Sequence, residues 1–487
     1  MALSPLKMSP DTCASKNAYV DADELRTAFA LAMSAMYKKE VPLYGNLMRI
    51  VRTVNDEALV RSSTPRVTAL KNGDVAAERL DLERHGAIRL GSPYELRTVR
   101  RIFAIIGMRP VGYYDLSEAE LPMHATCFRP TTTSALKKNP FRVFTTLLRP
   151  ELLKDIAARD TALELIAKRD IFGELLLDLL NVADRQGCRL TQEQSPIFVR
   201  EAMKTFGWRP VAVATKDAYQ KLKEEHPILV DIACFQSSHI NHLTPRTLDI
   251  SAAQARMKAE GLNVKERIEG PPPRDCPILL RQTSFLALEE SILFPRLNGT
   301  FENGYHKARF GEIEERGAAV TPAGRQLYDR LLDEAMRRIS QCPGSPGSAE
   351  QDRILEETFK QYPDDWDTLR REKLVYFDFR ATAKANDSNI PTNTTCDNLL
   401  SSGILEAVPI TYEDFLPLSA AGIFQSNLGR GKRVGTSIRS AFPDKTGYER
   451  ALGCALMDLD KSYLDAQEDS LRRCASELGI AYDSISG

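Results

Sequence analysis

The sequence lacks an excess of charge of either sign, and it lacks long apolar runs. Its 487 residues include 65 lysines and arginines against 66 aspartates and glutamates, which gives a net charge of −1. This balance provides no overall attraction to nucleic acid or to an anionic membrane, so we expect neither as a partner. No apolar run approaches the roughly 18 residues of a membrane span, and the N-terminal stretch has no hydrophobic signal core. We therefore expect small polar molecules as ligands.

Cysteine is sparse, and its positions show no pairing pattern. The nine cysteines form an odd, scattered set without a C-x-x-C pair. Such spacing argues against both a disulfide framework and a zinc site built from cysteines. We therefore expect a reducing compartment, in the first instance the cytoplasm. The arginine-poor N-terminal stretch gives little support to an organelle transit peptide.

A strongly signalled helix follows the stretch "ERHGAIRLG". Ser92, Pro93 and Glu95 form a capping box with proline at the first helical position, and Gly107 supplies a stop about four turns later. Turn residues separate three short predicted strands within residues 109–148, namely "RPVGYYDLS", "HATCFRP" and "FRVFTTLLRP". Because the chain before the helix is predicted to be extended, the order is strand, helix, strand, strand, strand.

The same order recurs further along the chain. Residues 239–270 predict a strand, a capped helix and the strand "NVKERI", and the strands "CPILLRQTSFLAL" and "HKARFGEIEERG" follow. The repeat extends to chemistry, because each opening strand carries an H-x-x-x-R motif. The motif residues are His85 and Arg89 in the first unit and His242 and Arg246 in the second. Internal repetition of this kind predicts that the two units pack against each other.

These patterns predict an α+β fold of paired βαβββ modules that form a curved mixed sheet around a metal site. A helical insertion and a C-terminal helical or irregular region complete the prediction, with C-terminal helices near 322–341, 349–361 and 447–479. The predicted divisions are an N-terminal helical region at 1–80, the first βαβββ module at 81–149, a helical insertion at 150–230, the second βαβββ module at 231–320 and a C-terminal covering region at 321–487.

Two histidines and a downstream carboxylate form a candidate metal site. His85 and His242 occupy equivalent places in the repeat, and Glu312 and Glu314 fall on one face of a later strand, where they compete for the third position. Two imidazoles and one carboxylate leave three open positions at an octahedral metal, which suits ferrous iron, a bidentate substrate and dioxygen. Zinc accepts the same ligand types, so these residues alone leave the metal open.

Three of the other four histidines are interpreted as structural. His124, His226 and His306 have no counterpart in the other repeat. His239 lies three residues before His242 and hence on the opposite face of the same predicted strand. It therefore does not share a metal with His242 unless the strand is bulged.

Several long segments resemble one enzyme family. They are "VPLYGNLMRIVRTVN", "ERHGAIRLGSPYELRTVRRIFAIIGMRPVGYYDL", "HINHLTPRTLDI", "LLRQTSFLALEE", "RFGEIEERG" and "YEDFLPLSAAGIFQSNL". They are similar to the 2-oxoadipate dioxygenase/decarboxylases, iron(II) enzymes also called D-2-hydroxyglutarate synthases. That family belongs to the vicinal oxygen chelate superfamily, whose modules have the strand, helix, three-strand order described above. The likeness spans nearly the whole chain.

The resemblance implies an activity, a cofactor and a ligand set. It implies an Fe(II) enzyme that converts 2-oxoadipate and O2 to D-2-hydroxyglutarate and CO2, a step in lysine breakdown. It also implies iron ligation by His85, His242 and Glu312. In the related 4-hydroxyphenylpyruvate dioxygenases, a metal-binding glutamate is followed by two residues and then Gln-Arg. The segment "EIEER" is similar, which favours Glu312 over Glu314.

Substrate-binding residues are implied in the same way. By resemblance, Arg89 is the catalytic residue that binds a substrate carboxylate, and Leu418 and Ser419 line the substrate pocket. Gln282, in "LRQTSF", is expected as an additional polar contact. The family commonly has valine before that serine, so Leu418 is a small apolar departure from its pattern.

The chemistry of arginine is consistent with this role. The distal carboxylate of a six-carbon diacid lies roughly 6–7 Å from its metal-binding end on covalent geometry. An arginine four residues along the strand covers that gap, and its planar fork suits a carboxylate better than the point charge of lysine. The competing interpretation of Arg89 and Arg246 is an ion pair on a solvated strand face.

Two alternatives from other function classes stand beside the dioxygenase. One is a different metal-dependent reaction on the same scaffold, such as a glyoxalase-like isomerisation or a hydrolysis. The other is a noncatalytic metabolite-binding protein that keeps the fold. Turnover without oxygen would reject the dioxygenase, and a binding protein would neither consume oxygen nor release carbon dioxide.

Overall fold

A computed structural model describes residues 18–61, 76–342, 344, 346–387, 394–416, 438–439 and 442–485. Its helices are α1 (Ala22–Glu40), α2 (Pro42–Arg61), α3 (Ala76–Leu82), α4 (Pro93–Ile105), α5 (Thr133–Lys138), α6 (Ile156–Ala167), α7 (Glu174–Arg185), α8 (Gln194–Phe206), α9 (Lys216–Glu225), α10 (Pro227–Ala233), α11 (Ile250–Ala259), α12 (Pro322–Gln341), α13 (Ser348–Phe359), α14 (Trp366–Arg371), α15 (Cys396–Ser401), α16 (Lys445–Leu452) and α17 (Leu459–Leu478). None of these helices is long and apolar enough to cross a membrane.

The strands build one larger sheet and three strand pairs. They are β1 (Arg84–Leu90), β2 (Arg109–Asp115), β3 (Met123–Arg129), β4 (Arg142–Leu148), β5 (Leu243–Pro245), β6 (Leu280–Ser284), β7 (Glu290–Pro295), β8 (Phe301–His306), β9 (Glu312–Arg316), β10 (Phe377–Ala381) and β11 (Leu405–Pro409). The larger sheet has the order β2-β3-β4-β1-β5, and the pairs are β6-β9, β7-β8 and β10-β11. The predicted α+β class with a mixed sheet is confirmed.

The first module folds as its sequence predicts. The Ser92 hydroxyl accepts a hydrogen bond from the Glu95 amide, and the Glu95 carboxylate accepts one from the Gly91 amide, so the side chains cap the start of α4. Strand β1 then pairs parallel with β4, while β3 lies antiparallel to both β2 and β4. Every residue of β1, β3 and β4 is buried. These strands therefore form the centre of the protein rather than an exposed face.

The second module differs from its prediction in two places. The prediction of a strand at "NVKERI" is wrong. Val264, and Glu269 directly after the segment, make only isolated bridges to residues in or next to β6. Gly270 follows with φ of 106° and three prolines come next, so the segment does not continue a ladder. An unpredicted hairpin, β7 with β8, is also present. Its turn contains Asn298 and Gly299, a pair typical of tight hairpins that signalled it in the sequence.

The two modules are joined edge to edge. Strand β5 lies antiparallel to β1, with His85 opposite Thr244. Beyond β5, Arg246 bridges Glu314 of β9, and the Thr247 amide donates to the Glu314 carbonyl at 2.7 Å. These contacts connect the larger sheet to the β6-β9 pair. Residues from β1, from the start of β5 and from β9 therefore lie close together.

The C-terminal region contains several helices and also contacts the sheet. Helix α12 confirms the predicted helix at 322–341, and α13 begins one residue before the predicted 349. The single helix expected near 447–479 is two helices, α16 and α17, because Gly453 adopts a left-handed φ of 78° and ends α16. The Phe415 ring packs on that of His85 with centroids 4.9 Å apart, so this region reaches the centre of the sheet.

The close approach of β1 to the segment before β5 predicts a stability effect. A Cβ atom added at Gly86 would lie 2.4 Å from Ile240 Cδ1 and 2.8 Å from the His242 carbonyl oxygen. We expect Gly86→Ala to lower the free energy of unfolding by about 1–3 kcal/mol through overpacking. Urea denaturation measures this effect. Gly173→Ala is the control, since the nearest atom to its added Cβ is 4.0 Å away; equal midpoints for the two variants would contradict the prediction.

Candidate metal centre

Three side chains from distant parts of the chain meet where β1, β5 and β9 lie side by side. His85 comes from β1, His242 stands immediately before β5, and Glu312 opens β9. One ligand atom from each lies within 4.8 Å of the others, and all three residues are buried. The Nε2 atoms of His85 and His242 lie 3.1 Å and 3.7 Å from Glu312 Oε1. The structure thus brings together the three residues that the resemblance implies as ligands.

One oxygen of the Glu312 carboxylate accepts hydrogen bonds, and the other has no donor among the described residues. Its Oε1 accepts hydrogen bonds from the Thr244 hydroxyl at 2.9 Å and from Gln282 Nε2 at 2.8 Å. No hydrogen-bond donor of the described residues reaches Oε2, although the residue is fully buried. A buried carboxylate oxygen without a donor is costly unless a cation or a water satisfies it. Burial raises the pKa of Glu312, but the imidazoles of His242 and His85 outweigh this and lower it.

Glu314 has a different environment from Glu312. Its carboxylate lies 2.9 Å from Nδ1 of His85, on the side of the ring that faces away from Glu312. It also accepts a hydrogen bond from Arg316 Nε at 2.8 Å, and Arg142 lies 3.9 Å away. Burial raises the pKa of Glu314, but Arg316, His85 and Arg142 outweigh this and keep it well below its usual range. This geometry suits a carboxylate that orients a ligand histidine through its second nitrogen.

The two imidazoles differ in their electrostatics. Burial lowers the pKa of His242 to about 4, so its ring is neutral at physiological pH and keeps a lone pair for a metal. Burial also lowers the pKa of His85, but the carboxylates of Glu314 and Glu312 outweigh it and raise the pKa. A metal bound between His85 and Glu312 would take the place of that proton.

Aromatic rings close the site. The Phe415 ring meets that of His85 edge to face, and the Phe310 ring lies against that of His242 with centroids 4.9 Å apart. Both phenylalanines are buried. Apolar walls of this kind lower the local dielectric and restrict the access of water.

Arg89 lies on β1 beyond His85, and it has a partner that the sequence did not reveal. Its guanidinium forms a buried ion pair with Asp231 of α10. Arg89 is close enough to His242 to contribute to lowering the pKa of that imidazole. Arg89 thus interacts electrostatically with one candidate ligand, and its role toward substrate stays a prediction.

The matching arginine of the second repeat lies in another environment. Arg246 forms an ion pair with Glu83 at 3.1 Å, and both residues are buried. Both arginines therefore form ion pairs, as the competing interpretation has it, except that both pairs are inside the protein and not on a solvated face. The repeated H-x-x-x-R pattern does not place the two arginines in equivalent surroundings.

Two further expectations concern residues that were predicted to contact the substrate. Gln282, on β6, donates to Glu312 and so contacts the candidate ligand itself. Leu418 and Ser419 lie outside the described residues, and their expected place in the substrate pocket stays a prediction. The described chain before them ends at Leu416.

The remaining histidines divide into two kinds. His226 accepts from the Ile228 amide and caps α10, and His124 packs on the ring of Tyr448 at 4.6 Å, so both are structural as interpreted. His239 and His306 instead meet at Asp231, forming a second buried group whose members the sequence did not connect. The signal that was available is the single charge in "PILVDIA", an otherwise apolar helix.

Comparison with known proteins gives this geometry a family context. The family model for 2-oxoadipate dioxygenase/decarboxylase matches residues 29–427. A 2-oxoadipate dioxygenase/decarboxylase of Pseudomonas putida is 44% identical over 467 residues, which is 95% of this chain and 99% of that protein. The protein of the same name from Escherichia coli is 46% identical over 460 residues, covering 93% of this chain and 98% of the relative.

A solved structure extends the likeness to three dimensions. The crystal structure of the hydroxyglutarate synthase from Pseudomonas putida in complex with 2-oxoadipate matches with a TM-score of 0.85 at 42% identity. It covers 95% of this chain and 100% of that one. Together with the match of the family model over most of the sequence, these relatives show that this chain belongs to the 2-oxoadipate dioxygenase/decarboxylase family of enzymes.

Proposed function

We propose that this enzyme uses Fe(II) and O2 to convert 2-oxoadipate to D-2-hydroxyglutarate and CO2, a step of lysine breakdown. The observation that carries the proposal is the buried group of two imidazoles and one carboxylate, in which one oxygen of Glu312 has no donor among the described residues. The names of the close relatives supply the reaction class, and the complex of the Pseudomonas protein supplies the substrate.

The residues present fit a ferrous ion. His85, His242 and Glu312 would hold it, and two histidines with one carboxylate form the ligand set typical of non-haem Fe(II) oxygenases. When bound, ferrous iron supplies the activation of dioxygen that oxidative decarboxylation of a 2-oxo acid requires. Glu312 already carries the negative charge such an ion needs, because the pKa of its carboxyl is lowered.

The chain's own residues prepare this ligand set. The Glu314 carboxylate lies 2.9 Å from Nδ1 of His85, and Nε2 of the same ring lies beside Glu312. Thr244 and Gln282 hold one oxygen of Glu312 and so determine where the other oxygen points. Ligands held in this way lose little conformational freedom when a metal binds, and their supporting contacts raise its affinity.

Arg89 is proposed to bind the distal carboxylate of the substrate. It lies four residues after His85 on β1, and its guanidinium contributes to lowering the pKa of His242. Residues four positions apart on β1 point to the same face, with their Cα atoms about 13 Å apart. The side chains of His85 and Arg89 can therefore hold a diacid between them. The planar fork of arginine then orients the substrate as well as attracting it.

The reaction itself is the first prediction. With freshly loaded Fe(II) and 2-oxoadipate, we expect one O2 to be consumed for each CO2 released, with a five-carbon 2-hydroxy diacid as the product. Oxygen-electrode, carbon dioxide and chiral product measurements check this, and 2-oxohexanoate, which lacks the distal carboxylate, is the matched control substrate. Product formation under strict anaerobiosis would refute the dioxygenase, and binding of 2-oxoadipate without either gas change would favour a binding protein.

The different environments of the two glutamates give the second prediction. Glu312→Gln removes the only carboxylate proposed as a ligand, so we expect bound iron to fall below about a tenth of one equivalent per chain, as for His242→Ala. Glu314→Gln keeps an acceptor beside His85, and we expect it to bind iron about 10–100-fold more weakly without losing the site. Elemental analysis and metal titration measure both effects, with circular dichroism as the check on folding. The reverse order of the two variants would assign Glu314 as the ligand.

The third prediction concerns the paired arginines. Arg89→Lys should raise KM for 2-oxoadipate about tenfold or more while the iron content stays unchanged, because the bidentate contact to the carboxylate is lost. Arg246→Lys is the matched control, since Arg246 is paired with Glu83. We expect it to lower stability while KM changes by less than about threefold. Steady-state kinetics with iron-loaded protein measures this, and equal KM values for wild type and Arg89→Lys would contradict the assignment.

A further inference from the structure

Asp231 is the centre of a buried polar group behind Arg89. One of its oxygens, Oδ2, receives the guanidinium of Arg89 and the Asn241 side-chain amide, the latter at 3.1 Å. The other oxygen, Oδ1, lies 2.9 Å from His239 Nε2 and 3.2 Å from His306 Nε2. All five residues are buried, so water does not compete strongly for these contacts.

The group continues away from Arg89. The Tyr219 hydroxyl lies 2.9 Å from His306 Nδ1. With the Tyr219 hydroxyl donating to Nδ1, the other nitrogen of His306 carries the proton that it donates to Asp231. The Trp208 ring stacks on that of His306 and meets that of His239 edge to face at 4.6 Å. Asp231 is therefore held from several sides and has little freedom to follow Arg89 if that side chain moves.

The composition of the group argues against a second metal ion, although one carboxylate and two imidazoles are metal ligands in many proteins. Asp231 is already in contact with the guanidinium of Arg89. A divalent cation bound at the same carboxylate would place two more positive charges beside that guanidinium in a buried setting. The hydrogen bonds described above account for the carboxylate oxygens without a metal.

We propose that Asp231 is a positioning residue, which fixes the guanidinium of Arg89 at the distance that selects a six-carbon 2-oxo diacid. This inference rests on the proposed role of Arg89 as the group that binds the distal carboxylate. Asp231 sits on α10, outside β1, and so ties the guanidinium to a second element of the fold. A fixed cation discriminates chain lengths, whereas a cation on a long flexible side chain adjusts to diacids of several lengths.

Asp231→Asn is the informative substitution, because it keeps the size of the side chain and its ability to hydrogen-bond while removing the charge that holds Arg89. We expect the ratio of kcat/KM for 2-oxoadipate to that for the five- and seven-carbon 2-oxo diacids to fall about tenfold or more. The iron content is expected to stay at the wild-type value. The measurement is steady-state oxygen uptake by the iron-loaded enzyme with the three diacids.

A double-variant cycle shows whether Asp231 acts through Arg89. In an Arg89→Lys background, Asp231→Asn should change the length preference by less than about twofold, because the group it positions is already gone. Glu95→Gln is the matched structural control, since Glu95 is a buried carboxylate paired with Arg169 at 2.7 Å. Arg169 in turn donates to the Ile232 carbonyl beside Asp231. This variant loosens the same neighbourhood without touching Arg89 and should leave the length preference unchanged.

The outcomes separate this inference from the proposed function. A wild-type enzyme that does not turn over 2-oxoadipate would overturn the proposed function. An active wild type that shows no length preference, or whose preference survives in Asp231→Asn, would overturn only the positioning role. If Glu95→Gln and Asp231→Asn lose the chain-length preference equally, the loss reflects general loosening of the structure and not the positioning of Arg89. A second equivalent of metal that is present in wild type and lost in Asp231→Asn would replace positioning by metal binding.

Discussion

The antiparallel pairing of β1 with β5 is the constraint on which the candidate centre depends. It sets His85 opposite Thr244, and Thr244 in turn donates to the carboxylate of Glu312. The same pairing places His242 directly before the first paired residue of β5. A slip of one residue would turn every side chain of β5 to the other face and separate the three candidate ligands. The close contacts that an added Cβ at Gly86 would make show how little room there is for such a change.

This arrangement buries several charged side chains, and the fold places them in ion pairs. Glu83, at the start of β1, accepts from Arg142 at 2.8 Å and from Arg246 at 3.1 Å, and Arg142 also meets Glu413 of the C-terminal region. Burial raises the pKa of Glu413, but the neighbouring arginines outweigh this and bring it to about 2. Pairs of this kind are weak evidence for stability, yet removing one partner from any of them leaves an uncompensated buried charge. The buried ion pair between Arg142 and Glu413 thus attaches the C-terminal region to the sheet.

The sequence was a good guide where local signals determine structure. The capping box at Ser92 marked the start of α4, and the repeated order of elements identified both modules and the pairing of His85 with His242. It was a poor guide where a segment has extended character without a partner, as at 263–268, where only isolated bridges form. The hairpin of β7 and β8 was not predicted, although the Asn298–Gly299 pair is a signal for its turn.

Long-range side-chain partners were the part that no local pattern could supply. Glu312 and Glu314 are equivalent by strand periodicity, and only the position of β9 relative to β1 separates them. Glu312 lies beside Nε2 of His85 and of His242, whereas Glu314 lies beside Nδ1 of His85 and beside Arg316. Asp231 is separated from Arg89 by 142 positions, and its contact depends on how α10 packs against β1. A charged residue inside an otherwise apolar helix nevertheless requires a buried partner. In this structure the buried partners of Asp231 include Arg89, the arginine of the first H-x-x-x-R motif.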